Sequence, residues 1–330
     1  MIGRRDFITL LGGAAAVWPV AARAQHGERV RRIGFLHPLA QGSDNDRVAL
    51  VVRGLADRGW VEGRNLRFDH RWAGGDVERM QALARELVDL KPDVLVATGS
   101  SEATRALQAA TRTIAIVFMR AGDPIAAGLV TNIARPEGNA TGWSGASARM
   151  GGKWLDLLRE AVPTIERVAL LFDPDLHNEA TLAEFETTAA ERHIAARRLI
   201  IHNSAEISPA LDAFAAEPNG AVIPVSPIQV LPRAVEIINA AALRHRLPTM
   251  YNGAEDVVNG GLISYSPDIA DMYRRVGADY ASRILSGAKP GELPVQFPTK
   301  FVLLVNLKTA KAMGLTIPES FLFRADELIE

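Results

Sequence analysis

The chain has 330 residues, a formal net charge of −1 and 23% charged residues, so it can hold two domains with cores of their own. Near-balanced, interspersed charge gives no electrostatic reason to expect nucleic acid or an anionic membrane surface as partner. There is no cysteine, which excludes disulfides, thiol nucleophiles, thiolate metal sites and cysteine lipidation.

The first 24 residues read as an export signal. Arg4-Arg5-Asp6-Phe7-Ile8 is a twin-arginine pattern, Phe7 to Ala22 is apolar, and Ala22-Arg23-Ala24 supplies a cleavage site before Gln25. About 16 apolar residues is short of the roughly 20 a membrane span needs. Cleavage removes three arginines and one aspartate and moves the formal charge from −1 to −3. The expected product is a periplasmic protein exported by the twin-arginine route.

Ile33 to Leu36 predicts a first strand, ending in His37-Pro38 and a loop, and a helix follows from about Arg47 to Asp57, with Gly59 as its stop. Asn65 to His70 is a second strand and Val77 to Leu90 a helix. The continuous apolar run Val94 to Ala97 suits a strand buried on both faces. Thr98-Gly99-Ser100-Ser101 turns the chain into a helix opened by Glu102, and Ile114 to Phe118 is the next buried strand. This strand–turn–helix–strand order is half of an open parallel α/β sheet, whose ligand crevice lies past the C-terminal ends of the strands.

The second half repeats the plan. Arg32 to Pro38 corresponds to Val168 to Pro174, and aligning Pro92 with Pro218 places Asp93 on Asn219 and Ser100 on Ser226. Between the halves, Arg135-Pro136-Glu137-Gly138-Asn139-Ala140-Thr141-Gly142 is punctuated enough for a first crossing. Asn259 to Pro267 reads as a second crossing, Ile269 to Leu285 as one long amphipathic helix, Pro290 to Pro294 as a third crossing, and Phe301 to Val305 as a last strand. The expected fold is α/β: two similar Rossmann-like lobes with parallel sheets, joined by a multi-crossing hinge. The lobes are expected at 30–142 plus about 266–294, and at 143–265 plus about 295–330. Closure about such a hinge around a ligand is a known kind of transition.

Several motifs resemble the ABC-transporter substrate-binding family that includes the tryptophan-binding TrpX proteins. They are Asp123-Pro124 with Gly128-Leu129-Val130, Arg135 to Asn139 with Thr141-Gly142, Ile284 to Pro290, and Val305 to Lys311 with Gly314-Leu315. The resemblance covers the mature chain. It implies a type I periplasmic binding protein that hands a small solute to a permease and its ATPase.

Residues at the predicted strand ends are the candidates for holding that solute. The helix after Thr98, Gly99, Ser100 and Ser101 offers N–H groups and partial positive charge to a carboxylate, or the serines merely cap it. Ser226, followed by Pro227, holds the matching place in the second half. Asp123 can pair with an ammonium group or serve as a turn residue before Pro124. Tyr251, Asn252, Tyr265 and Trp143 can form aromatic and polar walls or pack internally. His37 and His177 lack metal-ligand spacing and read as solvated loop residues, with Asp44, Asp46 and Asn178 on a polar rim. No G-x-G-x-x-G follows the first strand, no P-loop is present, and Thr98 to Glu102 lacks the second glycine of G-x-S-x-G. The expectation is therefore capture without catalysis or cofactor: a monomer taking an amino acid, aromatic ones included, or a related carboxylate. The alternatives are a periplasmic sensing subunit or, behind it, an enzyme on the same fold.

Overall fold

The computed structural model describes residues 29–42, 45–145, 150–174, 179–225 and 231–330. The export signal, Asp44, His177, Asn178 and Ser226 lie outside the described residues. The chain forms two compact units, one running up to Ala146 with Ala270–Phe297, the other comprising Ser147–Ile269 and Pro298–Glu330.

In the first unit, β1 (Arg31–His37), β2 (Leu66–Trp72), β3 (Val94–Thr98), β4 (Ala115–Ala121) and β5 (Ala140–Ser144) form one sheet in the order β2-β1-β3-β4-β5. Every pairing is parallel. Parallel neighbours need a return crossover. Helices α1 (Asn45–Ala56), α2 (Val77–Asp89) and α3 (Ser101–Ala110) supply three of them. Leu36, Leu95, Ala97, Ile116 and Phe118 pack with Leu87 and Leu107 of α2 and α3 on one face. The alternate residues, Ile33, Phe35, Val94, Val96 and Val117, are buried on the other face. Buried on both faces, these strands read as unbroken apolar runs.

The stretch expected as one helix from Ile269 to Leu285 is broken by a π-helical turn, Met272–Gly277, before Ala278–Leu285. The irregularity coincides with tight packing. A Cβ on Gly54 of α1 would lie 2.6 Å from the Arg274 carbonyl oxygen, and one on Gly277 would lie 2.7 Å from Met119 Cε.

The second unit begins the same way. Strands β6 (Arg167–Phe172), β7 (Ala195–Ile200) and β8 (Gly220–Pro224) pair in parallel as β7-β6-β8, the order of β2-β1-β3. A parallel bridge between Val222 and Thr249 carries this sheet on to β9 (Met250–Tyr251), then β10 (Ile263–Pro267), β11 (Phe301–Asn306) and β12 (Glu327–Ile329). Only the β10–β11 pair is antiparallel among the described strands. Ile263–Pro267, expected to be irregular, is thus a strand: the glycines before it end the preceding helix, and Ile263 and Ser264 are buried.

The motif from Arg135 to Gly142 is architectural. Asn139 Nδ2 donates to the carbonyls of Thr111 and Ile114 at 3.2 and 2.9 Å, and Thr141 Oγ1 donates to Leu293 O at 2.7 Å. Gly142 lies against the Phe118 backbone so closely that a Cβ would sit 1.9 Å from Phe118 O. Replacing Gly142 with Ala should therefore cost about 3 kcal/mol or more, by overpacking that no side-chain motion relieves. At Gly138 a Cβ meets nothing within 4 Å, and Gly138→Ala should stay within about 0.5 kcal/mol. Urea unfolding of both variants checks the contrast; equal stabilities would refute the packing assignment.

Candidate functional site

Because all five strands of the first unit run in parallel, their C-terminal ends share one sheet edge. Register fixes who meets there: Thr98 lies beside Met119, and Met119 beside Trp143. Gly99, at φ +67°, turns the chain out of β3, and its N–H donates to Met119 O at 2.8 Å. This left-handed conformation suits glycine. Ser100 is the N-cap of α3: its Oγ accepts from Ala103 N at 3.1 Å. Ser101 Oγ accepts from Gly122 N at 3.2 Å and so ties the turn after β3 to the turn after β4.

Asp123 is exposed, and its Oδ1 accepts from the N–H groups of Ile125 and Ala126 at 2.9 and 3.0 Å. Its carboxylate thus orders the turn before Pro124 and Ile125, the local role weighed for it from sequence. Arg120 sits at φ +62°, where the β4–β5 register shifts between Met119 and Ala121. Asp46 is exposed in the first turn of α1.

His37 differs most from its expected place. It is the last residue of β1 and only 1% exposed, not a solvated loop residue. Its Nδ1 lies 3.1 Å from Thr98 Oγ1, and its Nε2 lies 3.1 Å from His70 Nδ1. The rings of His37, His70 and Trp72 lie near parallel in one cluster, with centroids 5.1 to 5.5 Å apart, and Phe35 joins it at 5.9 Å from His37 and 4.8 Å from His70. Sequence reasoning singled out neither His70 nor Trp72. The signal available was the two-residue period of Phe68, His70 and Trp72, which puts all three on one face of a strand, here beside Phe35 and His37.

Of the aromatic candidates of the second unit, Tyr251 is held inside the core and Tyr265 is half-buried against it. Tyr251 is fully buried and its hydroxyl donates to Asn239 Oδ1 at 2.6 Å; burial, and Asp256 after it, pushes its pKa well above the usual value. Asn252 follows, half-buried. Tyr265 stacks on Phe301 at 5.3 Å, and its carbonyl accepts from Trp154 Nε1 at 2.8 Å. In the first unit, Trp143 is fully buried edge-on to Tyr273, with centroids at 5.4 Å. The structure thus brings His37, Thr98, Gly99, Ser100, Ser101 and Asp123 to one edge of the first unit's sheet. No cluster of three metal-ligating side chains occurs among the described residues, and no described helix is long and apolar enough to cross a membrane.

A family model described as ABC transporter substrate binding protein matches residues 32–329. The chain belongs to that family. Within it, the chain is 23% identical over 265 residues to a tyrosine-binding protein of Clostridioides difficile, covering 80% of this chain and 75% of that one. A conserved domain protein from Vibrio cholerae superposes with a TM-score of 0.76 at 29% identity, over 91% of this chain and all of that one. An ABC domain from Streptococcus pneumoniae, solved in complex with L-Trp, gives a TM-score of 0.75 at 23% identity, over 91% of this chain and 99% of that one. The fold of this substrate-binding protein is therefore that of the type I periplasmic binding proteins, α/β with parallel sheets.

The His70 environment has a measurable consequence. Its pKa is lowered from 6.5 to about 4, first by desolvation and then by His37, with Asp69 opposing. Above pH 6.5 His70 is neutral folded or unfolded and costs nothing. As pH falls from 6.5 toward 4, only the unfolded chain takes up the proton, so stability declines. Allowing for solvent screening at this half-buried site, the loss is on the order of 2 kcal/mol. Urea unfolding from pH 7.5 to 4 should show this decline, and His70→Gln should flatten it; an unchanged slope in the variant would contradict the assignment.

Proposed function

We propose that this chain is the periplasmic solute-capture component of an ABC importer. In this reading it takes a free amino acid, aromatic ones included, or a related carboxylate, and passes it unaltered to a permease and its ATPase. The carrying observation is the edge formed by Gly99, Ser100, Ser101 and Gly122. Ser100 Oγ engages the N–H of Ala103. The other N–H groups of the first turn of α3 have no intrahelical partner and carry the positive end of the helix dipole. A carboxylate fits that chemistry without a cationic side chain. The tyrosine-binding relative and the L-Trp-bound neighbour support an amino acid as the solute. A relative named for tyrosine binding and a neighbour solved with L-Trp support capture, and the twin-arginine pattern fits delivery to a permease.

The test is thermal unfolding of protein freed of carried-over ligand by denaturing and refolding, scanned against tyrosine, tryptophan, other amino acids, short peptides and sugars. A ligand at about 100 times its dissociation constant should add roughly 2.7 kcal/mol of stability. Ser101→Ala should weaken the response to the same ligand at least tenfold in calorimetric affinity. A flat scan from folded protein would sink the amino-acid assignment.

A further inference from the structure

One charged side chain at the capture edge has no part in holding that edge together. Arg120 is exposed and makes no hydrogen bond or ion pair among the described residues. Its backbone sets it apart. The other non-glycine residues with positive φ lie in turns or at helix ends, and among the described residues Arg120 is the one inside a strand. There its Cβ crowds the backbone, a cost that glycine avoids. The bulge decides where the side chain goes. Ile116, Phe118 and Ala121 lie in the apolar cluster with Leu87 and Leu107. Strand alternation after Ile116 and Phe118 would send Arg120 into that cluster. The register shift gives the place to Ala121 and turns Arg120 out. Its stem then passes the end of β5, where a Cβ on Gly145 would lie 2.8 Å from Arg120 Cγ. The Gly99–Ser101 turn lies on the opposite side of β4, tied to Met119 and Gly122. On the turn after β4, Asp123 bonds through Oδ1, and its Oδ2 takes no bond among the described residues.

We propose that Arg120 is a specificity residue and that the captured solute is an amino acid with a second carboxylate in its side chain. This rests on the capture reading above, in which the turn into α3 takes the α-carboxylate. Arg120, on the other side of β4, then meets the side-chain carboxylate with the paired N–H groups of its guanidinium, a geometry that a single point charge does not offer. Asp123 Oδ2 faces the ammonium group. Solvated arginines are commonplace on a rim. One kept out of the core by a bulge, on a left-handed backbone, is a device for aiming a side chain. Tyrosine and L-Trp, the solutes named for two relatives, carry one carboxylate each. This chain therefore differs from those relatives in the side chain it selects.

The test is calorimetric titration of the full chain, freed of carried-over ligand, with L-glutamate and L-aspartate against their uncharged amides, L-glutamine and L-asparagine. At least one acid should bind about tenfold or more tighter than its own amide, the worth of one charge-assisted pair. Arg120→Gln keeps the stem and removes the charge, and should bring that ratio close to one. Arg120→Gly, free of the left-handed strain, is a second variant with the same expected loss should the first fail to fold. An amide that binds as tightly as its acid, or a preference that survives both variants, overturns the inference and leaves capture standing. No response to either acid also overturns it, and the wider scan described above shows separately whether the capture reading falls as well.

Discussion

Parallel pairing of β1 to β5 is the constraint on which the first unit depends. A parallel sheet sends every chain return to the opposite edge, so the strands' C-terminal ends collect on one side. Residues far apart in sequence then become neighbours: His37, Thr98 and the Gly122–Asp123 turn share an edge. The edge is ordered from within. Ser101 accepts from Gly122, Gly99 donates to Met119, and Asp123 folds its own turn. In the capture reading proposed above, an edge already tied together by these bonds lowers the ordering cost of binding.

The class of fold was legible because strands buried on both faces leave continuous apolar runs, as in Val94 to Ala97, and because β2-β1-β3 and β7-β6-β8 use the same order of parts. Capping was legible as a role but not as a residue: either serine suited it, and Ser100 caps α3 while Ser101 accepts from Gly122. Other features depend on distant partners. The π turn at Met272–Gly277 reflects packing against Gly54 and Met119, which no local periodicity records. The depth of β10 depends on its pairing with β11, more than thirty residues away.

At the candidate site the same division holds. Polarity and position after a strand are local, and they identify the turn from Thr98 to Ser101. Burial is not local. His37 looks like a loop residue beside Pro38 until the neighbouring strand brings His70 and Trp72 against it. Tyr251 has the composition of a pocket wall, yet Asn239 holds its hydroxyl inside the core. An aromatic side chain with a polar tip suits either setting, and tertiary neighbours decide between them.

The contact between Gly142 and Phe118 has an evolutionary reading. A position where any Cβ collides with a backbone oxygen at 1.9 Å admits one residue whatever the solute. The stretch from Asn139 to Gly142 therefore answers to the scaffold: its side-chain bonds and its glycine all serve contacts within the first unit. The turn after β3 is restrained differently: Gly99 answers to its left-handed backbone, and a Cβ there would meet only Pro38 Cγ, at 3.8 Å. A substitution at Gly142 is thus barred by the frame itself, and one at Gly99 by the shape of a single turn.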